Sequence, residues 1–302
     1  MIDVYLLGEG GTWPLPGRWL SSVLVRYGGQ LLLFDCGEGT QIPLRAAGWG
    51  LRAIDAVFFS HYHGDHIGGL PGLLLTLGNS ERREPLALYG PPGLARVVAG
   101  LRVIAPYLPY DVQCHELEGG DRFALGDLQV GVLAVDHSLP CLAYTLERPR
   151  APRFDPERAR ALGLPVTLWN RLQHGEAVSW GGGIVQPDAV LGPARAGVKF
   201  AFVTDTRPTA ALPGFVAGAQ LLVCEGMYGA EEDLPRAVEN RHMLFRESAA
   251  IAREAGVGAL WLTHFSPALS DPAAYLPVAQ AIFPSTTIGA TGLTTTLQFP
   301  DD

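Results

Sequence analysis

The most concentrated chemistry in this chain lies in six consecutive residues, His61 to His66, which read HYHGDH. Three imidazoles and one carboxylate follow directly on the apolar run Ala56 to Ser60, which reads as a buried strand. Imidazole together with carboxylate is a ligand set that suits Zn²⁺, with Mn²⁺ and Fe²⁺ as the alternatives. The segment therefore predicts a metal centre at the end of a strand.

The spacing within this segment indicates more than one ion. A loop that leaves a strand end can direct His61 and His63 to one side. It can direct Asp65 and His66 to the other side, and we expect Gly64 to allow a tight turn between the two pairs. One short segment can then serve two metal ions.

Three further residues are placed to complete such a centre. His137 ends the stretch LQVGVLAVDH, Asp205 ends VKFAFVTD and His264 ends ALWLTH. Each stretch reads as a buried strand that delivers its last side chain to the rim of a sheet. A lone His at a strand end is more often a structural residue, but a purely structural role for the whole set is improbable. We expect two sites, with Asp205 able to bridge both ions.

Two divalent ions in one site indicate hydrolysis. Such a pair lowers the pKa of a water molecule and stabilises both the attacking and the leaving oxygen. The substrate bond is then most naturally a phosphodiester, an amide or a thioester. A redox di-iron centre is a weaker alternative, because Tyr62 and Gly64 stand where a carboxylate would be needed.

Composition limits the class of protein. The chain has 302 residues, of which 48% are apolar and 17% charged, so one large folded domain is expected rather than disorder. The net charge of −8 argues against broad, non-specific coating of nucleic acid, and we expect no DNA partner. The apolar runs are too short for a bilayer, and the start lacks the basic region of a signal peptide, so we expect a cytoplasmic protein without a membrane partner. Four cysteines lie without CxxC spacing and are expected to be free thiols: Cys36, Cys114, Cys141 and Cys224.

The apolar pattern predicts strands alternating with turns and a few helices. Tyr27-Gly28-Gly29-Gln30 is a hairpin signal between two apolar runs. The predicted strands, after one at the start of the chain, are Ser22 to Tyr27, Gln30 to Asp35, Ala56 to Ser60, Leu86 to Tyr89, Leu128 to Asp136, Val198 to Asp205, Leu221 to Glu225 and Ala259 to His264. The predicted helices are Gly93 to Leu101, Asp155 to Leu162 and Phe245 to Ala255, the last ended by Gly256.

One segment, at about 148–193, differs from the rest in being rich in Arg, Pro and Gly. We interpret it as an arm inserted into a single domain of residues 1–302. An ordinary solvated loop is the alternative. Clustered guanidinium groups would supply local phosphate contacts on an otherwise acidic chain. The arginines of this segment are Arg148, Arg150, Arg153, Arg158, Arg160 and Arg171, and they are the candidate phosphate-binding residues.

Several stretches carry a resemblance to a known family. SHYHGDHIGGLPGLL resembles the metallo-β-lactamase superfamily through its HxHxDH motif. FDCGEGTQ, LYGPPGL, VTDTRP, LTHFSP and the Arg-rich arm together narrow the resemblance to the ribonuclease Z family, which trims the 3′ trailers of precursor tRNA. The resemblance covers essentially the whole chain. It implies a four-layer αβ/βα sandwich with a protruding arm, a homodimer, and an arm that grips the tRNA.

The resemblance also implies roles for individual residues. One zinc ion would be held by His61, His63 and His137, and the other by Asp65, His66 and His264, with Asp205 between them. Asp65 would also act as the general base that orients the attacking water. Glu225 and His242 match two further motifs, in which a His protonates or stabilises the departing ribose oxygen and a Glu orients it.

The substrate-side motifs depart from the family pattern in some places. The Glu225 motif reads CEGM, the His242 motif reads HML without hydroxyls, and the arm has no Gly-Pro pair after its helix. A small-molecule metallo-hydrolase on the same scaffold, a phosphodiesterase or a lactonase, is therefore the alternative enzyme. An RNA-binding protein with a decayed site is the third hypothesis. The Arg-rich arm argues against a small-molecule hydrolase. The complete set of metal ligands argues against a decayed site.

Overall fold

A computed structural model of the chain describes residues 1–300, and strands dominate it. The strands are β1 (Ile2–Gly8), β2 (Ser22–Tyr27), β3 (Gln30–Phe34), β4 (Ile54–Phe58), β5 (Leu86–Gly90), β6 (Val112–Glu116), β7 (Arg122–Leu125), β8 (Leu128–Val135), β9 (Cys141–Arg150), β10 (Val178–Trp180), β11 (Gly183–Val185), β12 (Arg195–Val203), β13 (Leu221–Glu225), β14 (Leu260–Thr263), β15 (Thr286–Ile288) and β16 (Thr294–Leu297). They form one seven-stranded sheet of order β16-β1-β2-β3-β4-β5-β6, a second of order β15-β14-β13-β12-β9-β8-β7, and the small hairpin β10-β11.

Helices cover the outer faces of the two large sheets. The helices are α1 (Gln41–Ala46), α2 (Gly64–Ile67), α3 (Leu70–Asn79), α4 (Leu94–Leu101), α5 (Pro156–Ala161), α6 (Val166–Gln173), α7 (Leu212–Val216), α8 (Leu234–Asn240), α9 (Phe245–Glu254) and α10 (Leu276–Ile282). Leucines of α3 and α4 pack on the first sheet, while α7, α9 and α10 pack on the second. Short 3₁₀ turns lie at Leu51–Ala53, Arg102–Ile104, Pro187–Ala189, Glu231–Asp233 and Pro272–Tyr275.

The inner faces of the two sheets meet through aromatic rings. Phe34 of the first sheet lies 5.6 Å, between ring centroids, from Phe200 of the second. Phe58 of the first sheet lies 5.4 Å from Tyr144 of the second. All four rings are fully buried, and burial of such large side chains is a main source of stability for a sandwich. The arrangement is helix, sheet, sheet, helix, which confirms the predicted four-layer fold.

Parallel strands bring the candidate residues to one edge of each sheet. In the first sheet β3, β4, β5 and β6 run parallel, and in the second sheet β12, β13, β14 and β15 do. Parallel neighbours end on the same side, where α/β proteins place their ligand sites. Asp35 and His61 follow β3 and β4, while Asp205, Glu225 and His264 lie at or beyond the ends of β12, β13 and β14.

The predicted elements agree closely with the observed ones. The turn between β2 and β3 has positive φ at both Gly28 (56°) and Gly29 (88°), which confirms the predicted hairpin. The helix predicted from Gly93 begins at Leu94, because Gly93 is left-handed (φ 96°). Helix α3 was not predicted, although its buried leucines recur at helical spacing.

The chain divides into two compact units, each with its own core. The first comprises Met1–Glu147 and Lys199–Gln298, and contains both helix-covered faces. The second comprises Arg148–Val198 with Phe299 and Pro300, and contains α5, α6 and the β10-β11 hairpin. Its small core includes Ala159, Leu164, Leu172, Val178 and Val190. The arm segment of residues 148–193 lies within this second unit.

Within residues 1–300, no helix combines the length and the apolar character needed to cross a membrane.

Candidate metal centre

The first group of donor atoms forms around His63. Its Nδ1 lies 2.9 Å from Nε2 of His61 and 3.2 Å from Nε2 of His137. Oδ2 of Asp205 lies 3.5 Å from the same His61 nitrogen and 3.7 Å from that of His137. A tetrahedral zinc ion with ligands at about 2.0–2.1 Å separates them by roughly 3.3 Å. These four atoms therefore have the spacing of one zinc ligand set.

The second group forms around His66 and His264. Their Nε2 atoms lie 3.1 Å apart, and Oδ2 of Asp65 lies 3.5 Å from the former and 3.4 Å from the latter. Oδ1 of Asp205 lies 3.4 Å from the His66 nitrogen and 3.2 Å from the His264 nitrogen. Every one of these five measured distances is close to the edge of the same tetrahedron.

Asp205 joins the two groups because its carboxylate turns one oxygen to each. Oδ2 faces His61 and His137, while Oδ1 faces His66 and His264. Three pairs of imidazole nitrogens lie 2.9–3.2 Å apart. The two nitrogens of a pair cannot both donate a proton to each other, so at least one nitrogen in each pair presents a lone pair. A divalent cation at the centre of each group would satisfy these lone pairs, and the residues present fit two such ions.

The HYHGDH segment reaches both groups through a short helix rather than through a tight glycine turn. His61 follows β4, and α2 starts at Gly64 and carries Asp65 and His66 away from His63. The prediction for Gly64 was wrong, because its φ is not positive and nothing obstructs a Cβ there. Gly64 instead lines the cleft in front of the donor atoms, where a side chain would occupy open space.

A buried carboxylate, Asp35, supports both parts of the segment. It accepts a bond from His66 Nδ1 at 2.8 Å, from the Ser60 amide at 2.7 Å and from the Ser60 hydroxyl at 2.8 Å. That hydroxyl in turn lies 3.0 Å from Nδ1 of His61. Contacts of this kind fix the ring orientation and tautomer of ligating histidines. Asp35 was not predicted as a site residue, although it ends a buried strand as His137 and Asp205 do.

His137 is oriented by the segment that follows α8. Its Nδ1 lies 3.2 Å from the carbonyl oxygen of Arg241, to which it can donate. The guanidinium of Arg241 donates back to the His137 carbonyl at 2.9 Å and pairs with Asp136 at 3.1 Å. The reciprocal contacts couple a candidate ligand to the residue that directly precedes His242.

Glu225 and His242 form a second, adjoining pair. Glu225 is fully buried, and its Oε2 lies 3.2 Å from His242 Nδ1. Its carboxylate also accepts bonds from the backbone amides of Thr206 at 2.6 Å and Met243 at 3.1 Å. The ring of His242 stacks at 5.4 Å on that of His264, and its Nδ1 lies 4.0 Å from Asp205. His242 therefore lies directly beside the donor groups, oriented through Glu225.

An ion pair that was not predicted holds the backbone at His242. Arg207 and Glu247 meet through two bonds of 2.6 and 2.8 Å, and Arg207 also donates to the His242 carbonyl at 2.5 Å. Glu247 accepts the amide of Leu244 at 2.9 Å. Bidentate pairs of this kind fix geometry as well as charge.

Positive φ angles concentrate around the centre. Among the non-glycine residues of 1–300 they occur at Thr12 (69°), Asp35 (57°), Arg241 (57°) and His264 (59°), and also at Glu81 (61°), which follows α3. Three of these residues touch the site through contacts given above, and Thr12 donates its amide to Asp65 Oδ2 at 2.6 Å. The left-handed conformation costs such residues about 1–2 kcal/mol each. The surrounding contacts hold the strained backbone in place.

The electrostatics of the cluster favour positive charge. Burial opposes protonation of His66, but the carboxylates of Asp205, Asp35 and Asp65 outweigh it and raise its pKa well above the usual range. Burial and the neighbouring His66 lower the pKa of His61 well below its usual value. Burial would raise the pKa of Asp205, yet the surrounding imidazoles, foremost His264, lower it well below the usual range. The ionised Asp205 and the neutral His61 are in the states that ligate metal, whereas a bound cation would displace the proton of His66.

A cleft of about 870 Å³ opens in front of the donor atoms. His63, Asp65, His137, Asp205, His242 and His264 all line it. Its outer wall includes Trp13, Pro14, Met227 and Tyr228. The cleft is open to solvent, and its volume lies in the range of ligand sites.

The candidate RNA-binding arginines all lie in the second unit. Arg171 pairs with Glu176 at 2.9 Å, Arg158 pairs with Asp155 at 3.3 Å, and Arg160 lies over the Trp169 ring. Arg150 donates to the Pro300 carbonyl at 2.7 Å. Arg148 and Arg153 line a pocket of the same unit. The ion pairs of Arg158 and Arg171 are solvent-exposed, and such pairs are weak enough for a phosphate to replace.

Comparison with known proteins identifies the family. The model of the β-lactamase superfamily domain matches residues 31–265. Ribonuclease Z of Lachnospira eligens is 46% identical over 303 residues, covering 100% of both chains. Ribonuclease Z of Clostridium kluyveri is 47% identical over 291 residues, covering 96% of each.

Solved structures agree on the fold. The metallo-β-lactamase fold protein YhfI from Bacillus subtilis matches with a TM-score of 0.72 at 20% identity, covering 97% of this chain and 98% of that one. The short form of human tRNase Z matches with a TM-score of 0.71 at 21% identity, covering 98% and 100%. The full-length sequence matches show that the chain belongs to the ribonuclease Z family, and the matching domain model places that family within the β-lactamase superfamily.

Proposed function

We propose that this chain is a metal-dependent endoribonuclease that removes the 3′ trailer from precursor tRNA by hydrolysing one phosphodiester bond. One observation carries the proposal. A chain 46% identical over its full length to a ribonuclease Z has two adjoining groups of His and Asp donors, and the Asp205 carboxylate contacts both.

The two donor groups suit two Zn²⁺ ions, with Mn²⁺ or Fe²⁺ as alternatives. His61, His63 and His137 would hold one ion, and Asp65, His66 and His264 the other, with Asp205 as a ligand of both. The chemistry that such a pair supplies when bound is a water of lowered pKa and a counter-charge for the phosphate. The tetrahedral spacing of the donor atoms supports zinc.

Asp65 orients the attacking water. Its Oδ2 is fixed by the amide of Thr12 at 2.6 Å, and its side chain borders the cleft. Burial would raise the pKa of Asp65, but the imidazoles of His66 and His264 outweigh burial and lower it. A carboxylate of low pKa stays ionised, so it can accept a hydrogen bond from the water and releases a proton readily, and Asp65 acts as an orienting base.

His242 serves the leaving group. When the bond between phosphorus and the ribose 3′ oxygen breaks, that oxygen needs a proton or a positive partner. His242 lines the cleft, and Glu225 holds its Nδ1, which leaves Nε2 for the substrate. Burial opposes its protonation, but the carboxylates of Glu225 and Asp205 outweigh burial and raise its pKa to about 9. A protonated His242 can donate to the departing oxygen.

The second unit binds the body of the tRNA. It folds around a core of its own and carries Arg148, Arg150, Arg153, Arg158, Arg160 and Arg171. Guanidinium groups contact phosphates without regard to sequence, which suits an enzyme that must accept many tRNAs. Recognition by shape and backbone is the usual mode for double-stranded RNA.

We also propose that the enzyme acts in the cytoplasm and forms a homodimer. Support for a partner surface comes from one segment of the first unit, where Val103, Ile104 and Tyr107 are 75%, 70% and 92% exposed. Large apolar side chains exposed together mark interaction sites on soluble proteins. A second copy of the chain is the partner that the family resemblance favours.

Cleavage of a 3′-extended precursor tRNA by the zinc- or manganese-loaded protein tests the function, with bis(p-nitrophenyl) phosphate as a parallel substrate. We expect hydrolysis of the ester and one cut at the 3′ end of the tRNA body. Turnover of the ester without any cut in the tRNA would contradict the proposal and favour a small-molecule phosphodiesterase. Turnover of a lactone alone would favour a lactonase.

A further inference from the structure

An exposed tryptophan stands at the mouth of the cleft and has no role in the chemistry described so far. Trp13 lies in the loop between β1 and β2, lines the same cleft as the donor residues, and is 56% exposed. Within residues 1–300, Trp13 takes no part in aromatic or cation–π contacts of the kind that Trp49 and Trp169 make. An indole face left open to solvent at a substrate cleft is available to a flat ligand.

The loop that carries Trp13 is held firmly on both sides. Gly10 donates to the Trp19 carbonyl at 2.8 Å, and Arg18 donates to the Leu269 carbonyl at 2.9 Å. On the other side, the amide of Thr12 donates to Asp65. The indole is therefore presented from a fixed backbone, which lowers the conformational entropy that a ligand must overcome.

The charge of the cleft mouth favours a base over a phosphate at this position. Glu38 and Glu239 line the same cleft, and so does Pro14, which follows Trp13 in the chain. Phosphates are repelled by carboxylates, whereas a nucleobase gains from stacking on an aromatic face whatever its sequence. Single-stranded RNA is commonly bound in this way.

We propose that Trp13 stacks on the base of the first trailer nucleotide, directly 3′ to the bond that is cut. The proposal rests on the proposed endoribonuclease function and names the subsite that accepts the trailer. His242 marks the leaving 3′ oxygen and therefore the nucleotide on the 5′ side. Trp13 is joined through Thr12 to Asp65, which orients the attacking water on the other side of the phosphorus. The first trailer nucleotide keeps the phosphate after the cut, and its base would then stack on the indole of Trp13.

The test pairs variants of Trp13 with precursor tRNAs that lack one base. Trp13→Leu keeps an apolar side chain without a π face, and Trp13→Phe keeps a smaller ring. On the complete substrate we expect Trp13→Leu to lower kcat/KM about 10- to 100-fold, which is the contribution of one stacked base. Trp13→Phe should lose less than about fivefold, since a phenyl ring also stacks. The metal content of both variants, measured by mass spectrometry, should equal that of wild type, because Trp13 contributes no atom to either donor group.

Removal of the base from the first trailer nucleotide should abolish the difference between wild type and Trp13→Leu. Removal of the base on the 5′ side of the cut is the matched control. It should preserve the difference in kcat/KM between wild type and Trp13→Leu. The proposal is overturned if the loss persists on the substrate without the trailer base, or if Trp13→Leu cuts the complete substrate as well as wild type does. Failure of the underlying function would look different, because the wild-type enzyme would then hydrolyse the ester and leave the tRNA intact.

Discussion

Replacement of Glu225 by Gln isolates the part of the site that serves the leaving group. The carboxylate of Glu225 is fully buried and receives three donors, namely the amides of Thr206 and Met243 and the ring of His242. Gln has the same shape, but one of its two terminal atoms is a donor. Whichever way the amide turns, its NH₂ group faces an N–H that formerly had an acceptor.

The size of the effect follows from that mismatch. One buried hydrogen bond that cannot form costs about 1–3 kcal/mol, and bonds to a charged acceptor are the stronger ones. We expect Glu225→Gln to lower the free energy of unfolding by about 2–4 kcal/mol. The ring of His242 also loses its fixed orientation, and a general acid contributes about 10²- to 10⁴-fold to a rate. Because Gln retains part of the contact, we expect a loss of about 100-fold in kcat on precursor tRNA.

The assay compares two leaving groups. A ribose oxygen needs a proton as it departs, whereas p-nitrophenolate is a stable anion and does not. Glu225→Gln should therefore reduce hydrolysis of bis(p-nitrophenyl) phosphate less than about fivefold, while RNA cleavage falls far more. Ser248→Ala is the matched control, because Ser248 donates at 2.6 Å to the backbone carbonyl of Glu225 and does not touch the carboxylate. Equal losses on both substrates would refute the assigned role of the pair.

Three further predictions concern the metals and the RNA. Asp205→Ala removes an oxygen from both donor groups, so metal content measured by mass spectrometry should fall for both ions and turnover should be lost; retention of two ions would contradict the shared role. Asp35→Ala leaves the Nδ1 of His66 without its carboxylate, so metal affinity in a chelator competition should fall about 10- to 100-fold, and an unchanged affinity would argue against this support. Arg160→Ala should raise KM for precursor tRNA and reduce the slope of log KM against log salt by about 0.7–0.9, with ester hydrolysis unchanged; an identical slope would place Arg160 away from the phosphates.

The sequence by itself determined the candidate metal ligands. The HYHGDH segment follows β4, and the ligands outside it follow strands that could be recognised from their apolar runs, as with His264 after β14. The residue types, imidazole and carboxylate, limited the chemistry to metal binding before any distance was known. The hairpin at Gly28-Gly29 and the helix from Phe245 were predictable for the same reason, because local pattern and turn chemistry decide them.

Other features of the site depend on contacts between distant parts of the chain. Asp35 became recognisable as a support only once its histidine partner, His66, was located 31 residues away. The loop of Thr12 reaches Asp65 across 53 residues, and nothing in its composition indicates that contact. Local propensity cannot report such contacts, because they form only when folding brings distant segments of the chain together.

The division of the donors into two groups was likewise decided by tertiary structure. His66 and His264 are 198 residues apart, yet their nitrogens lie 3.1 Å from each other. The register of the second sheet, in which Val203 pairs with Cys224 and Glu225 with Thr263, places the ends of three strands at one level. A shift of one residue would turn every side chain to the opposite face. The sequence therefore determined which residues could bind metal, and the register and packing of the sheets decided which of them meet.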